Sequence, residues 1–193
     1  MKSKSILIAG MLFGLFIGWY VFPFLLYQKN EQPIQFSHLS HTGEKGGMAC
    51  EDCHSTNENG RFEGIPAVAK CSECHSVPLG TTENEKRLVE EFITPNKEIP
   101  WLVYSRQPDN AFFSHSPHVK LGEMKCEDCH GPHGSSEFLK THQTNRISGY
   151  SRDIWGVNIS GISSVKWEGM KMDKCVRCHE NNGRRDGCVA CHK

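Results

Sequence analysis

All ten cysteines of this 193-residue chain fall in five copies of Cys-x-x-Cys-His, beginning at Cys50, Cys71, Cys126, Cys175 and Cys188. A thiol pair two residues apart also suits a zinc ribbon, a disulfide or a thioredoxin-like couple, and each is reasonable for a single copy. None of these needs a histidine after the second cysteine every time, and ribbon units pair two by two, which leaves one of the five over. Covalent haem c attachment does need it. The pairs Cys50/Cys53, Cys71/Cys74, Cys126/Cys129, Cys175/Cys178 and Cys188/Cys191 would form the thioethers. His54, His75, His130, His179 and His192 would then sit under the irons as axial ligands. The spacing predicts five covalently bound haem c groups.

Six further histidines remain for the opposite faces: His38, His41, His115, His118, His133 and His142. Four of them sit in a repeated element, Phe36-Ser37-His38-Leu39-Ser40-His41 and Phe113-Ser114-His115-Ser116-Pro117-His118. Each copy is followed by Cys-Glu-Asp-Cys-His. Such self-similarity marks a duplicated unit, here about residues 33–80 and 110–193. For the fifth opposite face His133, His142 and a methionine (Met48, Met124, Met170 or Met172) compete, with His142 preferred for its longer reach.

The elements that must position these ligands are short. Only 37% of the residues are hydrophobic, part of them in one N-terminal block, so the haems themselves must supply most of the core. Thr82-Glu83-Asn84-Glu85 has the form of a capping box, with Leu88, Val89 and Phe92 following at helical spacing, which predicts a helix over 83–93. Residues 99–104 read as extended, and 134–165, rich in Gly, Ser and Asn, as a long loop. The expected fold is a mainly α and irregular multihaem cytochrome, few short helices around five haems, behind one N-terminal transmembrane helix.

That helix is read from Ser5 to Tyr27, which carries no charged residue and at roughly 1.5 Å per residue spans the ~30 Å hydrocarbon layer. A cleaved signal peptide would be shorter and end at small residues. The expected division is an anchor at 1–28 and a haem domain at 29–193. Lys2 and Lys4 ahead of the helix argue for a cytoplasmic N-terminus and a periplasmic haem domain on the inner membrane. Gly10, Gly14 and Gly18 form a stripe that suits either a neighbouring helix or lipid. With 22 basic and 22 acidic side chains the net charge is zero, and nothing points to nucleic acid.

Phe-Ser-His-x-x-His ahead of Cys-x-x-Cys-His resembles the cytochrome c3 and c7 type of multihaem cytochromes. That resemblance implies that His38 and His115 ligate the haems of the motifs that follow them, while His41 and His118 reach haems bound elsewhere. The anchor, Pro33-Ile34-Gln35-Phe36-Ser37-His38, Gly64-Ile65-Pro66 and Ile99-Pro100-Trp101 together are similar to the membrane-anchored subunit of menaquinone reductase complexes. The pentahaem subunit of alternative complex III is a near relative. Some subunits of the first kind carry six haems, and this chain has five motifs. The resemblance implies an electron-transfer subunit without catalysis of its own, linking a soluble periplasmic cytochrome c to the menaquinone pool. Its partners would be an integral quinone-binding subunit and an iron–sulfur or molybdopterin-like subunit. The rivals are a quinol-oxidising complex, a stand-alone quinol dehydrogenase, and a multihaem reductase with one open iron.

Overall fold

The computed structural model describes residues 2–105, 109–147, 149, 172–184 and 187–192. The chain opens with helix α1 (Lys2–Phe16), which runs through a π-helical turn (Ile17–Val21) into α2 (Phe22–Leu26). Pro23 explains the wide turn. A proline has no N–H to give to the turn before it, and there Phe22 N–H donates to Ile17 O, closing the wider turn. Residues 4–26, 23 in all, are long and apolar enough to cross a membrane, and none of that stretch is buried by the rest of the protein. A Cβ on Gly10, Gly14 or Gly18 would meet no other part of the chain.

Strand β1 (Tyr27–Asn30) follows α2 with no intervening residue and pairs antiparallel with β2 (His142–Asn145), Tyr27 opposite Asn145 and Asn30 opposite His142. Arg146 closes the helix end: its N–H donates to Leu26 O at 2.8 Å and its Nε to Leu25 O at 3.1 Å. These satisfy carbonyls that a helix terminus leaves without partners. Strand β2 lies inside the stretch read as a long loop. His-Gln-Thr-Asn carries no apolar alternation, and the strand exists because β1 offers it a partner. Residues 148 and 150–165 of that stretch lie outside the described residues.

A small core joins Ile34, Val68, Phe92 and Ile99, each less than a tenth exposed, with Leu88, Ile93 and Trp101 packed against it. Phe92 is supplied by the predicted helix, observed as α6 (Glu83–Arg87) continued by a π-helical stretch (Leu88–Ile93). Residues 99–104 form no strand. Ile99 is buried, and both backbone groups of Leu102 are taken by the Gln32 amide, at 2.9 and 3.0 Å.

The remaining helices are the motifs themselves: α3 (His38–Thr42), α4 (Cys50–Cys53), α5 (Val68–Ser72), α7 (Cys126–His130) and α8 (Met172–Asn181). A 3-10 turn spans Cys188–Ala190. The Glu-Asp between the cysteines of two motifs has a local cause. Asp52 accepts from Ala49 N–H at 2.7 Å and Asp128 from Lys125 N–H at 3.0 Å, each satisfying an amide at the start of its helix.

Candidate functional site

The two Phe-Ser-His-x-x-His elements arrange their rings alike, although the first lies on an α-helix and the second runs into a π-helical turn (Pro117–Leu121). Phe36 meets His38 edge-on at 4.9 Å and stacks on His41 at 4.4 Å; Phe113 meets His115 edge-on at 4.9 Å and stacks on His118 at 5.0 Å. His41 Nδ1 lies 2.8 Å from Ser37 O and His118 Nδ1 2.8 Å from Ser114 O. A carbonyl accepts only from a protonated Nδ1, so in both rings Nε2 keeps its lone pair for a metal.

Each of these elements points its imidazoles at motif histidines. His41 faces His75 with ring centroids 6.1 Å apart, His115 faces His130 at 6.3 Å, and His118 faces His179 at 6.1 Å. Two metal–imidazole bonds of about 2.0–2.1 Å laid end to end, with the two ring radii added, also come to roughly 6 Å. Each gap therefore fits one metal ion held by a nitrogen from either side. His38 lies by His54: burial first, then the charges of His54 and His41, lowers its pKa. Burial likewise lowers His115 and His130. All three imidazoles are thus held neutral, as metal ligation requires.

The thiols stand on the same turns. In α4 and α7 the cysteines are three residues apart and project to one side of the helix. The following histidine is fixed by the backbone, with His54 N–H donating to Cys50 O at 2.8 Å, His75 to Cys71 O at 3.0 Å and His192 to Cys188 O at 2.9 Å. Burial raises the pKa of Cys53, Cys71, Cys126, Cys129 and Cys175. Each also feels a thiol of another motif: Cys53 that of Cys74, Cys71 that of Cys53, Cys126 that of Cys50, Cys129 those of Cys175 and Cys178, and Cys175 that of Cys191. Cys50 and Cys126 line one cavity of about 390 Å³ with Glu51, Val119, Met124 and Glu127. Thiol pairs, neutral imidazoles and metal-sized gaps together are the donor set of a multihaem c-type cytochrome.

Residues 40–144 match the family described as cytochrome c3. The chain belongs to the cytochrome c3 family. Membership implies covalently bound haem c, carried here by motifs whose geometry fits it. This cytochrome is similar to the menaquinone reductase multihaem cytochrome c subunit of Nitratidesulfovibrio vulgaris, at 39% identity over 95% of its own length and 87% of the relative's. It is also similar to the multihaem cytochrome MtrA of Shewanella baltica, at 27% identity over 55% of its length and 31% of the relative's.

The two histidine candidates for the fifth opposite face lie on different elements. His133 is in a 3-10 turn (His133–Ser135) that docks on α3, where Leu39 N–H donates to Ser136 O at 3.0 Å and Thr42 Oγ1 to Gly134 O at 2.6 Å. There burial, then Lys140, His130 and His38, pushes its pKa down to about 4. His142 lies on β2, its Nδ1 3.3 Å from Thr144 Oγ1. Among the described residues the ring contacts include no imidazole opposite His192. Of the methionines, Met124 lines the shared cavity, Met172 is 66% exposed and Met170 lies outside the described residues.

Two residues of this cytochrome meet its histidines without belonging to a haem motif. Phe62 sits between the repeats, 5.9 Å from His54 and 5.0 Å from His115. Its loop is latched to the second repeat by Ser116 Oγ donating to Asn59 O and Lys120 Nζ to Glu58 O. Gly60, at φ +73°, makes that approach, since a Cβ there would lie 2.9 Å from Ser116 Oγ. The other is Glu85, which meets His75.

Proposed function

We propose that the chain is a pentahaem electron relay, anchored in the inner membrane by residues 1–28 with its haem domain, 29–193, on the periplasmic side. In this reading it exchanges electrons between a soluble periplasmic cytochrome c and the menaquinone pool. Its complex supplies an integral quinone-binding subunit and an iron–sulfur or molybdopterin-like subunit. The name of the Nitratidesulfovibrio relative supports the quinone link. The observation that carries the relay is the set of three opposed imidazole pairs at 6.1–6.3 Å, because an iron ligated on both faces passes an electron without binding substrate.

The axial pairs in this reading are His38 with His54, His41 with His75, His115 with His130 and His118 with His179. His133 is already crowded by His38 and His130, which leaves His142 to oppose His192. Bound haem supplies the Fe(III)/Fe(II) couple; the chain supplies order and spacing. His38 and His41, on one turn of α3, tie the Cys50 site to the Cys71 site. Phe62 and the shared cavity tie Cys50 to Cys126. His115 and His118 tie Cys126 to Cys175, and the thiols of Cys175 and Cys191 bring in the last. The motifs thus run in space from Cys71 through Cys50, Cys126 and Cys175 to Cys188, with the first two exchanged relative to the chain.

Low-temperature EPR of the detergent-purified protein tests the relay, with low-spin ferric iron expected at all five sites. A substantial high-spin signal that shifts with nitrite, sulfite or cyanide would instead identify a reductase. Gentle extraction tests the assembly. The cytochrome is expected to leave the membrane with its partner subunits, and a lone cytochrome that still oxidises a quinol analogue would overturn that reading.

A further inference from the structure

One carboxylate in this cytochrome is aimed at an imidazole reserved for iron. Glu85 Oε1 lies 3.0 Å from His75 Nδ1, and the two side chains are only 13% and 20% exposed. Oε1 also accepts from Leu79 N–H at 2.7 Å, and Oε2 from Gly80 N–H at 2.8 Å. Thr82 accepts from Glu85 N–H at 3.3 Å and so caps α6 beneath it. Half of the expected capping box is therefore present. The carboxylate that should reach back to the cap amide turns instead to three donors outside the helix.

Those donors suit a charged carboxylate: two backbone N–H groups and the His75 ring all converge on its oxygens, and no acceptor among its partners asks it to carry a proton. An ionised acceptor makes a stronger hydrogen bond than a neutral one, and a carboxylate on the outer nitrogen of a ligating histidine raises its basicity. A more basic axial ligand, with a negative charge behind it, favours Fe(III) over Fe(II).

Four other ligand positions are held differently. His41 and His118 are oriented by neutral backbone carbonyls, and His38 Nδ1 by Ser136 Oγ at 3.2 Å. His54 Nδ1 is buried with no hydrogen-bond partner at all. The contrast between His75 and His54 matters most, because their opposite ligands, His41 and His38, share one turn of α3. Two neighbouring sites have been given opposite electrostatic settings.

We propose that Glu85 is a positioning residue that lowers the reduction potential of the Cys71/Cys74 site, creating a step between it and the Cys50/Cys53 site. This rests on the reading of His75 as an iron ligand. The site lies at one end of the spatial order, so an electron there runs downhill toward the Cys50 site. In that transfer one electron would pass from ferrous iron held at the Cys71/Cys74 site to ferric iron held at the Cys50/Cys53 site, oxidising the first and reducing the second, with no bond made or broken in the protein.

The test is a spectroelectrochemical titration of the full-length, detergent-solubilised cytochrome and its E85Q variant, with haem content measured on both. Glutamine keeps an oxygen for His75 and removes the charge. The wave carrying one haem's share of the absorbance is expected to move up by about a tenfold change in the oxidised-to-reduced ratio, about 59 mV for a one-electron couple. T82A removes the cap, keeps the carboxylate and is expected to leave that wave in place. If E85Q fails to load haem, E85D, with its shorter reach, is expected to give a smaller upward move. Unchanged potentials in the loaded variant overturn the proposal, as does an equal shift in T82A. H75A separates the two levels. If it leaves all iron low-spin, His75 is not a ligand and the underlying reading falls; if it yields high-spin iron while E85Q moves nothing, only the role of Glu85 falls.

Discussion

Replacing His118 by glycine isolates one ligand pair. The His118 ring stacks on Phe113 with 27° between planes, is fixed through Nδ1 to Ser114 O and stands 6.1 Å from His179. Glycine removes the ring and leaves room for a free imidazole. In the proposed pentahaem arrangement one site in five then loses its sixth ligand, so about one fifth of the ferric iron is expected to turn from low-spin to high-spin in EPR. The other four sites keep their signals. Added imidazole should reverse the change, though weakly. A flexibly tethered group has an effective concentration of order millimolar, and a ring pinned by hydrogen bond and stacking exceeds this, so half-recovery needs millimolar imidazole or more. The same replacement at His133, which opposes no iron in the proposed arrangement, is the control and should give no high-spin signal. The reasoning is refuted if H118G stays wholly low-spin without additive, or if H133G gives the same high-spin fraction.

Further outcomes follow from the same geometry. H142G should convert about one fifth of the iron to high-spin, like H118G; if it does not, a methionine opposes His192. F62A removes the ring lodged between His54 and His115, and for this half-buried phenylalanine a loss of about 2 kcal/mol is expected, a fall in Tm of roughly 4–8 °C by calorimetry. T144V deletes the hydroxyl that accepts from Asn30 Nδ2 at 2.8 Å, costs about 1 kcal/mol, and should speed proteolysis near residues 27–35 in detergent. Chain produced without haem attachment should give the circular dichroism of a largely unfolded protein, since its buried apolar cluster is so small.

What the sequence made legible was what repeats or lies close together. The ten motif cysteines, the paired Phe-Ser-His-x-x-His elements and the helix over 83–93 could be read because each signal is complete within a few residues. The opposition of His41 to His75 and of His118 to His179 joins residues far apart in the chain, and no local pattern states it. Strand β2 was missed because its stability comes from Tyr27–Asn30 and not from its own side chains. Glu85 was read as half of a capping box, a correct expectation for an isolated helix, but Leu79, Gly80 and His75 offer better donors once the preceding turn folds over. Phe62 gave no signal, because a single aromatic in a polar loop has nothing to mark it.

The junction between α2 and β1 contains no spare residue, and Arg146 bolts the ribbon to the helix end. A cytochrome on a slack tether sweeps a hemisphere and presents each edge in turn. In the proposed anchoring, the ribbon and Arg146 would hold the start of the haem domain against the end of the membrane helix and so restrict the faces it presents. The search for the proposed soluble partner would then fall mainly to that protein, and turnover should follow its concentration and the ionic strength rather than motion of the haem domain.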